Sequence, residues 1–341
     1  MLLEQLDPGG VSVTPLRIVE RERPAPGAGE VLIRVLVCGV CHTELDEIAG
    51  RAAPSLLPIV PGHQVVGVVE QLGAEVTGHR IGERVGVAWI GSACGGCAYC
   101  ESGFENLCAK FVATGRDRDG GYAEYVTARA DFAIPVPEEI TDAEAAPLLC
   151  AGAVGYRSLR LAAIQDGEPL GLTGFGASGH IVLQLARFLY PRSAVSVFAR
   201  SAEERAFARE LGASWTGETA DTPPEQLRAV IDTTPAWQPV LSALRTLAPG
   251  GRLVINAIRK EAGDSDALAG LSYEQQLWME REIKSVANVT RQDVRDMLAT
   301  AVQMRLRPEV AEFPLEEANA ALVALRDRHV RGAKVLRVWS G

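Results

Sequence analysis

The stretch GLTGFGASGHIVLQLARF, residues 171–188, decides the fold of this chain. Three of its glycines have the order G-x-G-x-x-G, and they separate an apolar strand-like segment from an apolar segment of helical length. In this setting the first glycine permits a tight turn, the second admits a pyrophosphate and the third lets the helix pack on the strand. The phosphates would bind the unpaired N–H groups at the helix N-terminus. The residues predicted to bind a dinucleotide cofactor here are Gly174, Gly176, Ala177, Ser178 and Gly179.

The sequence on either side of this turn changes in character. From Val31 to about Ile90, short β-branched runs interrupted by Gly and Pro predict small antiparallel strands, consistent with a barrel. Around the glycine turn, strands such as SAVSVFA alternate with helices such as SAEERAFARELGA, which predicts a parallel sheet with helices on both faces. We therefore predict an α/β protein in which a β-rich domain is interrupted by a doubly wound nucleotide-binding domain.

The length, net charge and composition of the chain restrict the class of protein. A chain of 341 residues exceeds the usual size of a single core, so two domains are expected. The net charge of −9 argues against a nucleic-acid partner, which would require clustered Lys and Arg. The start, MLLEQLDPGG, lacks the features of a signal peptide, and no apolar stretch is long enough to span a bilayer. We expect a cytoplasmic protein without a membrane partner, whose thiols stay reduced.

Four of the seven cysteines lie in one loop with the spacing C-x2-C-x2-C-x7-C: Cys94, Cys97, Cys100 and Cys108. Four thiolates on a compact loop can form a closed tetrahedral shell around Zn²⁺, which would hold the loop in place but leave no position for a substrate. An iron–sulfur cluster is an alternative, although nothing else in the chain suggests a redox partner. The other interpretation is that the four cysteines are unrelated free thiols. The spacing favours a structural zinc lobe at about residues 91–110.

Two further cysteines and a histidine predict a second metal centre. Cys41 lies in CGVCHTE, His63 in PGHQVVG and Cys150 in PLLCAG. Two Cys and one His from separate segments make the ligand set of an open zinc site, whose fourth position is left for water or an alcohol oxygen. Taken singly, each residue has a plainer reading, because a lone Cys is often a small core residue and a His after Gly a turn residue. We interpret Cys38 as such a core residue.

The end of the strand after the glycine turn bears on the choice of cofactor. An acidic residue there would bind the ribose 2′-hydroxyl of NAD, but this chain has Ala199, Arg200 and Ser201 at that place. Arg200 and Ser201 can bind a 2′-phosphate instead, which favours NADP. The alternative is that Arg200 is a solvated charge at the start of a helix.

Together these motifs resemble the zinc-dependent alcohol dehydrogenases of the medium-chain dehydrogenase/reductase superfamily over essentially the whole chain. The resemblance rests on CGVCHTE, PGHQVVGVVEQLGAEV, the four-cysteine loop, PLLCAG and the glycine turn. It implies a GroES-like catalytic domain at 1–149 and 291–341, which includes the zinc lobe, and a Rossmann-type cofactor domain at 150–290.

The resemblance also implies roles for single residues. Cys41, His63 and Cys150 match the catalytic zinc ligands, and the four-cysteine loop matches the structural zinc lobe. The other matches are Thr43 as the relay for the alcohol proton, His42 at a position that contacts cofactor phosphate or aids the relay, Glu44 as the carboxylate that orients the zinc-binding His, Trp89 in the substrate pocket and Arg331 near a cofactor-phosphate position.

Several positions depart from the family pattern. Gln64 replaces the usual Glu after the zinc-binding His, which removes a negative charge close to the metal. Glu44 replaces the commoner Asp, and Asp46 stands where some relatives have a relay His. Ala333 stands where the family often has Arg, while Arg331 lies before the glycine. None of these changes removes a zinc ligand.

The expected function is reversible hydride transfer between an alcohol and NAD(P)⁺, with two zinc ions per chain and NADP favoured. By resemblance, a homodimer or homotetramer is expected. A reductase for alkene or polyol substrates is a second possibility within the same fold, although the complete set of two Cys and one His argues against a zinc-free reductase. A cofactor-binding protein without turnover is a third, and only Gln64 favours it.

Overall fold

The computed structural model describes residues 1–10, 12–327 and 332–339. Arg331, which was predicted to lie near a cofactor phosphate, falls outside the described residues. The chain divides into two compact units, one made of Met1–Ala153 with Asn288–Gly341 and the other of Val154–Ala287. The division into a catalytic and a cofactor domain at residues 149/150 and 290/291 stays a prediction.

The secondary structure is given in chain order. The strands are β1 Glu30–Val40, β2 Val65–Leu72, β3 Arg84–Val87, β4 Ile90–Ser92, β5 Val112–Ala113, β6 Tyr125–Arg129, β7 Ala133–Pro135, β8 Leu170–Thr173, β9 Val195–Phe198, β10 Trp215–Gly217, β11 Leu227–Asp232, β12 Leu247–Ile255, β13 Glu282–Ser285, β14 Val310–Pro314 and β15 Ala333–Arg337. The α-helices are α1 His42–Ile48, α2 Ala98–Glu101, α3 Asp142–Pro147, α4 Ala153–Ala162, α5 Ala177–Leu189, α6 Ala202–Glu210, α7 Gln238–Thr246, α8 Arg291–Gln303 and α9 Ala318–Arg326. Short 3₁₀ segments cover Glu105–Leu107, Ala130–Phe132, Ala262–Gly270 and Leu315–Glu317, and π-helical turns cover Leu148–Gly152 and Tyr273–Leu277.

The first unit is built around a mostly antiparallel sheet. Its strands lie in the order β14-β15-β1-β2-β3-β7, with β6 also paired to β1, and only the pair β14–β15 is parallel. The β-branched runs predicted to form strands supply its core. Fully buried examples are Val31, Ile33, Val35, Val65 and Val69. Strands β4 and β5 form a separate antiparallel pair on either side of the four-cysteine loop.

The second unit contains a parallel sheet in the order β10-β9-β8-β11-β12-β13. Strands β8 and β9 are buried along their whole length, as expected for inner strands covered on both faces. The chain crosses from β8 to β9 and β10 in one direction and from β11 to β12 and β13 in the other. Because such crossovers are right-handed, this reversal places the connecting helices on opposite faces of the sheet. The predicted doubly wound α/β fold class is therefore confirmed.

The described helices have at most 13 residues each. None of them combines the length and the apolar character that crossing a membrane requires.

Candidate metal centres and cofactor turn

The first cysteine of the open set is positioned by the start of helix α1. Cys41 follows β1 directly and is the N-cap of the helix, with extended backbone angles of φ −136° and ψ 165°. The Glu44 side chain reaches back to this cap, where its Oε2 accepts a hydrogen bond of 2.8 Å from the Cys41 N–H. This reciprocal cap fixes the direction in which the Cys41 thiol leaves the helix.

The other two members of the set come from irregular backbone. His63 follows Gly62, whose φ of 103° suits a residue without a side chain, and the ring of Tyr122 occupies the space that a Cβ there would need. Cys150 lies in the π-helical turn Leu148–Gly152, a widened turn of the kind often found at functional sites.

The structure brings the three ligand atoms together. Cys41 Sγ and Cys150 Sγ are 3.9 Å apart, Cys150 Sγ and His63 Nε2 are 3.3 Å apart, and all three atoms lie within 4.8 Å of one another. A tetrahedral zinc with Zn–S bonds of about 2.3 Å requires sulfur atoms separated by about 3.8 Å. The spacing therefore fits one metal ion. In the described part of the chain no fourth His, Cys, Asp or Glu joins this set, so it has the composition of an open site.

The buried carboxylate of Glu44 contacts the ring nitrogen of His63 that does not face the thiols. Glu44 Oε1 lies 2.5 Å from His63 Nδ1, an ion-pair contact although not a hydrogen bond of normal geometry, and both side chains are almost completely buried. Burial would lower the pKa of His63, but the charge of Glu44 and the contact with Cys41 raise it to a level well above the usual value. The hydrogen bond with the Cys150 thiol lowers the pKa of Cys41. Glu44 is thus placed to orient His63 so that Nε2 faces the two thiols.

Of the residues predicted for the proton relay and the substrate pocket, Thr43 has a contact with this set. Thr43 is buried and its Oγ1 is 3.5 Å from Cys41 Sγ, whereas His42 is exposed at the first position of α1. The Trp89 ring is buried, with its centroid 5.0 Å from that of Phe111 and 4.9 Å from the guanidinium carbon of Arg116. Their catalytic and substrate-binding roles stay predictions.

Sequence reasoning missed Glu47, a second buried acid in this region. Glu47 is 1% exposed, and neither carboxylate oxygen has a hydrogen bond of normal geometry with a described residue. Burial, followed by the charge of Glu44, raises its pKa well above the usual value. The signal was present in HTELDE, because Glu47 lies four residues after Thr43 and so on the same helix face. Gln64, which departs from the family pattern, is also buried.

The four-cysteine loop forms a second compact set. Cys94 Sγ and Cys97 Sγ lie 3.9 Å and 3.6 Å from Cys100 Sγ, and the four sulfur atoms, including that of Cys108, lie within 4.8 Å of one another. These separations again match the edges of a tetrahedron around zinc, which are about 3.8 Å long. Four sulfur donors complete such a shell, so this set is closed.

The thiols of this loop differ in acidity. Backbone N–H groups of Cys94 and Lys110 point at Cys108 Sγ, at 3.5 Å and 3.3 Å, and lower the pKa of Cys108 to about 6. Loss of hydration raises the pKa of Cys100 to about 12. Cys108 is therefore a thiolate at neutral pH before any metal binds, whereas Cys100 must release its proton to the solvent when metal binds.

The glycine turn has the shape that an anion at a helix N-terminus requires. Gly174 has a φ of 82°, and a Cβ on Gly179 would lie only 2.7 Å from the Gly174 carbonyl oxygen. Gly176, the N-cap of α5, is exposed, and a Cβ there would meet no atom within 4 Å. Among the described residues no side chain caps this helix, so the first N–H groups of α5, at Ala177 and Ser178, are suited to bind an anion such as a pyrophosphate.

The end of β9 carries positive charge and no acid. Arg200 is exposed, and Ser201 caps α6 by accepting a 3.0 Å hydrogen bond from the Glu204 N–H. Sequence reasoning did not single out Arg205, whose guanidinium donates to the carbonyl oxygens of Ala199 and Arg200. A second guanidinium therefore lies at the strand end where the ribose of a dinucleotide is expected.

Several known proteins are similar to this chain in sequence and in fold. Residues 27–138 match the alcohol dehydrogenase GroES-like domain. The chain is 40% identical over 336 residues to a probable alcohol dehydrogenase, AdhA, of Mycobacterium tuberculosis, covering 97% of this chain and 95% of that protein. It is 33% identical to an alcohol dehydrogenase of Geobacillus stearothermophilus, with 95% and 96% covered. The cobalt- and zinc-bound thermostable alcohol dehydrogenase of Pyrobaculum aerophilum superposes with a TM-score of 0.83 at 27% identity, covering 96% and 97% of the two chains.

An open set of metal donors and a Rossmann-type glycine turn are features of zinc- and NAD(P)-dependent oxidoreductases. With relatives of this identity over nearly its whole length, the chain belongs to the zinc-dependent alcohol dehydrogenases of the medium-chain dehydrogenase/reductase superfamily. The predicted family and the GroES-like and Rossmann-type fold are confirmed. As a member, it is an enzyme that interconverts small-molecule alcohols and carbonyl compounds with NAD(P) and zinc.

The apparent metal affinity of the four-cysteine loop should fall more steeply with decreasing pH below pH 6 than above it. The metal binds thiolates, and the pKa of Cys108 is lowered to about 6, so below that pH a proton must also be displaced from Cys108. The apparent affinity should then lose a further factor of about ten per pH unit. Co²⁺ titration of the metal-free Cys41→Ala variant between pH 5 and pH 8 isolates this loop. An unchanged slope across pH 6 would contradict the assignment.

Proposed function

We propose that this chain oxidises an alcohol by transferring a hydride from the carbinol carbon to NAD(P)⁺, and catalyses the reverse reduction of an aldehyde or ketone. The observation that supports this most directly is the open donor set of Cys41, His63 and Cys150 in a member of this family. A set with three protein donors leaves a coordination position for the substrate oxygen, which a closed set does not.

The donors and the residues around them have separate roles in this reaction. When bound, zinc supplies a Lewis acid that makes the substrate hydroxyl easier to deprotonate and a substrate carbonyl easier to reduce. Cys41, Cys150 and His63 would hold it, and Glu44 would keep His63 in the orientation that presents Nε2. Thr43 Oγ1 accepts the substrate proton and passes its own proton toward solvent, with His42 as the exposed next group.

We further propose two zinc ions per chain, with the second at Cys94, Cys97, Cys100 and Cys108. Its four sulfur donors give that ion a structural role, because they leave no position for a substrate. The thiols of both sets must stay reduced to bind metal, which suits the cytoplasm as the expected compartment.

Replacement of Cys41 by Ala should lower the zinc content from two ions per chain to one and abolish alcohol-dependent NAD(P)H formation, while the circular dichroism spectrum stays unchanged. Cys38→Ala is the matched control, because Cys38 is a buried cysteine outside both sets. That variant should keep both zinc ions and its activity. Survival of alcohol oxidation in the Cys41 variant would contradict the proposed site.

We propose that NADP is preferred over NAD. The end of β9 has no acid to bind a ribose 2′-hydroxyl, whereas Arg200 is exposed there beside the Ser201 hydroxyl. A guanidinium and a hydroxyl are suitable partners for a 2′-phosphate. Arg205, held against the Ala199 and Arg200 carbonyls and paired with Glu218 at 3.4 Å, places a second guanidinium near this strand end.

Arg200→Gln should raise the KM for NADP⁺ by about tenfold or more and leave that for NAD⁺ nearly unchanged, because only NADP has the phosphate that the guanidinium would bind. The matched control is Arg209→Gln, which removes the same charge from the last turn of α6. Steady-state kinetics with both cofactors provide the measurement. Equal changes for NADP⁺ and NAD⁺ would place Arg200 outside the 2′-phosphate site.

The identity of the alcohol depends on the pocket beside the open set. We propose Trp89 as one wall, since it is a large buried ring held by Phe111 and Arg116. A fixed indole would restrict the width of the substrate. Rates with primary and secondary alcohols of increasing size would define the accepted class.

We propose that the chain forms a homodimer or homotetramer through the edge of the parallel sheet. Strand β13 is one of the two edge strands of this sheet, and all four of its residues are exposed. Large apolar side chains on β13 and in the segment before it are exposed: Ile283 43%, Tyr273 57%, Trp278 55% and Met279 49%. An exposed strand edge with an apolar surround favours pairing with another chain.

Ile283→Asp should reduce the mass of the assembly measured by light scattering, because a charge would then have to be buried in the contact. Ile81→Asp is the control, since Ile81 is 67% exposed in the other unit, far from β13 in sequence. That change should leave the mass unaltered. A variant at Ile283 with the wild-type mass would exclude this edge as the contact.

A further inference from the structure

Strands β8 and β11 end side by side at the point where the strand order of the parallel sheet reverses. Their last residues, Thr173 and Asp232, are direct neighbours in register. Gly174 follows the first, and Thr233 follows the second. Ligands of doubly wound sheets bind at this reversal, outside the carboxyl ends of the strands. The side chains found here therefore set the electrostatic surroundings of the cofactor.

A buried carboxylate lies at this place. Asp232 has no exposed surface, and its Oδ1 accepts hydrogen bonds of 2.5 Å from Thr173 Oγ1 and 2.8 Å from Thr234 Oγ1. Neutral hydroxyl donors do not remove its negative charge. A buried, uncompensated charge is costly by itself, and here it would also face the anionic phosphates of a dinucleotide.

Lys260 supplies the opposite charge from a different part of the chain. Its side chain is 7% exposed and its Nζ contacts Asp232 Oδ2, forming an ion pair. The same ammonium donates to the carbonyl oxygens of Thr234, at 2.8 Å, and Ala236, at 3.0 Å. It therefore neutralises the carboxylate and at the same time ties down the backbone that follows β11.

This backbone lies against the glycine turn. Thr233 donates from Oγ1 to the Thr173 carbonyl at 2.9 Å, and its Oγ1 would lie 2.7 Å from a Cβ on Gly174. Any displacement of residues 233–236 would therefore change the wall of the turn that receives the pyrophosphate. Lys260 has two effects on the cofactor site, one through charge and one through the position of this segment.

We propose that Lys260 is a positioning residue for the dinucleotide: it cancels the charge of Asp232 beneath the cofactor and fixes residues 233–236 against the glycine turn. The inference rests on the proposed function, because it takes the glycine turn as the NAD(P) site. Lys260 acts through Asp232 and the backbone, and it has no direct contact with substrate in this scheme.

The test measures the Kd of NADPH and of NADH for the zinc-loaded protein by cofactor fluorescence, together with the melting temperature. Lys260→Gln should raise both Kd values by about tenfold or more, since it leaves the Asp232 charge uncompensated. The double variant D232N/K260Q removes both charges and should return to within about threefold of the wild type. Arg192→Gln is the control for loss of one positive charge, because Arg192 pairs with Asp166 on the side where β8 begins.

The outcomes separate the inference from the proposed function. If the wild type bound neither NADPH nor NADH, the proposed function itself would fail. If the wild type binds but K260Q has the wild-type Kd, or if R192Q weakens binding as much as K260Q, the role of Lys260 is wrong. A double variant as weak as K260Q would show that the pair is only a structural element. Should K260Q fail to fold, recovery of binding in the neutral double variant still supports the inference, and weak binding overturns it.

Discussion

The meeting of two thiols and one imidazole at one point is the constraint on which the first unit depends. Cys41, His63 and Cys150 come from a helix start, a glycine-preceded loop and a π-helical turn. Each of these backbone forms is a departure from regular structure, and each directs one donor atom to the same point. Strained or irregular backbone of this kind persists where the surrounding fold holds it firmly. The antiparallel sheet around β1 and β2 provides that support.

Each unit has buried acids beside a candidate charged site. The first unit keeps buried acids, Glu44 and Glu47, near a donor set that suits a divalent cation. The second unit keeps a buried acid, Asp232, near a turn that suits an anionic cofactor, and it neutralises that acid with Lys260. A carboxylate supports a nearby cation and opposes a nearby anion. The buried acids of the first unit therefore suit a cation, whereas the buried acid of the second unit is neutralised by Lys260 beside the anion site.

Local chemistry made the motifs predictable from sequence. The glycine turn and the spacing of Cys94, Cys97 and Cys100 are short-range patterns, because a phosphate cradle and a tetrahedral shell each need donors from adjacent residues. Fold class followed from the alternation of strands and helices. The meeting of Cys41, His63 and Cys150 was predicted from their residue types and supported by the family resemblance, since each of their segments taken alone has a plainer interpretation.

The remaining features depend on tertiary placement. The burial of Glu47 follows from what packs on α1, and a lone acid in a helix is more often solvated. Lys260 is 28 residues from Asp232, so only the sheet topology brings the two together. The π-helical turn that carries Cys150 reads in the sequence as an ordinary helix. A sequence pattern indicates contacts between residues close along the chain better than contacts between residues from distant segments.

The pairing of β1 with β15 has a consequence for the order in which the protein is made. Val37 is the register partner of Arg337, and Val40 is that of Lys334. About 300 residues must therefore be synthesised after β1 before β15 can pair with it. Residues 154–287 emerge in one piece and contain every strand of their own sheet. On the ribosome, that unit can complete its fold first. Until the C-terminal strand arrives, nascent chains expose an unpaired edge of β1, and this interval is when they need protection from aggregation.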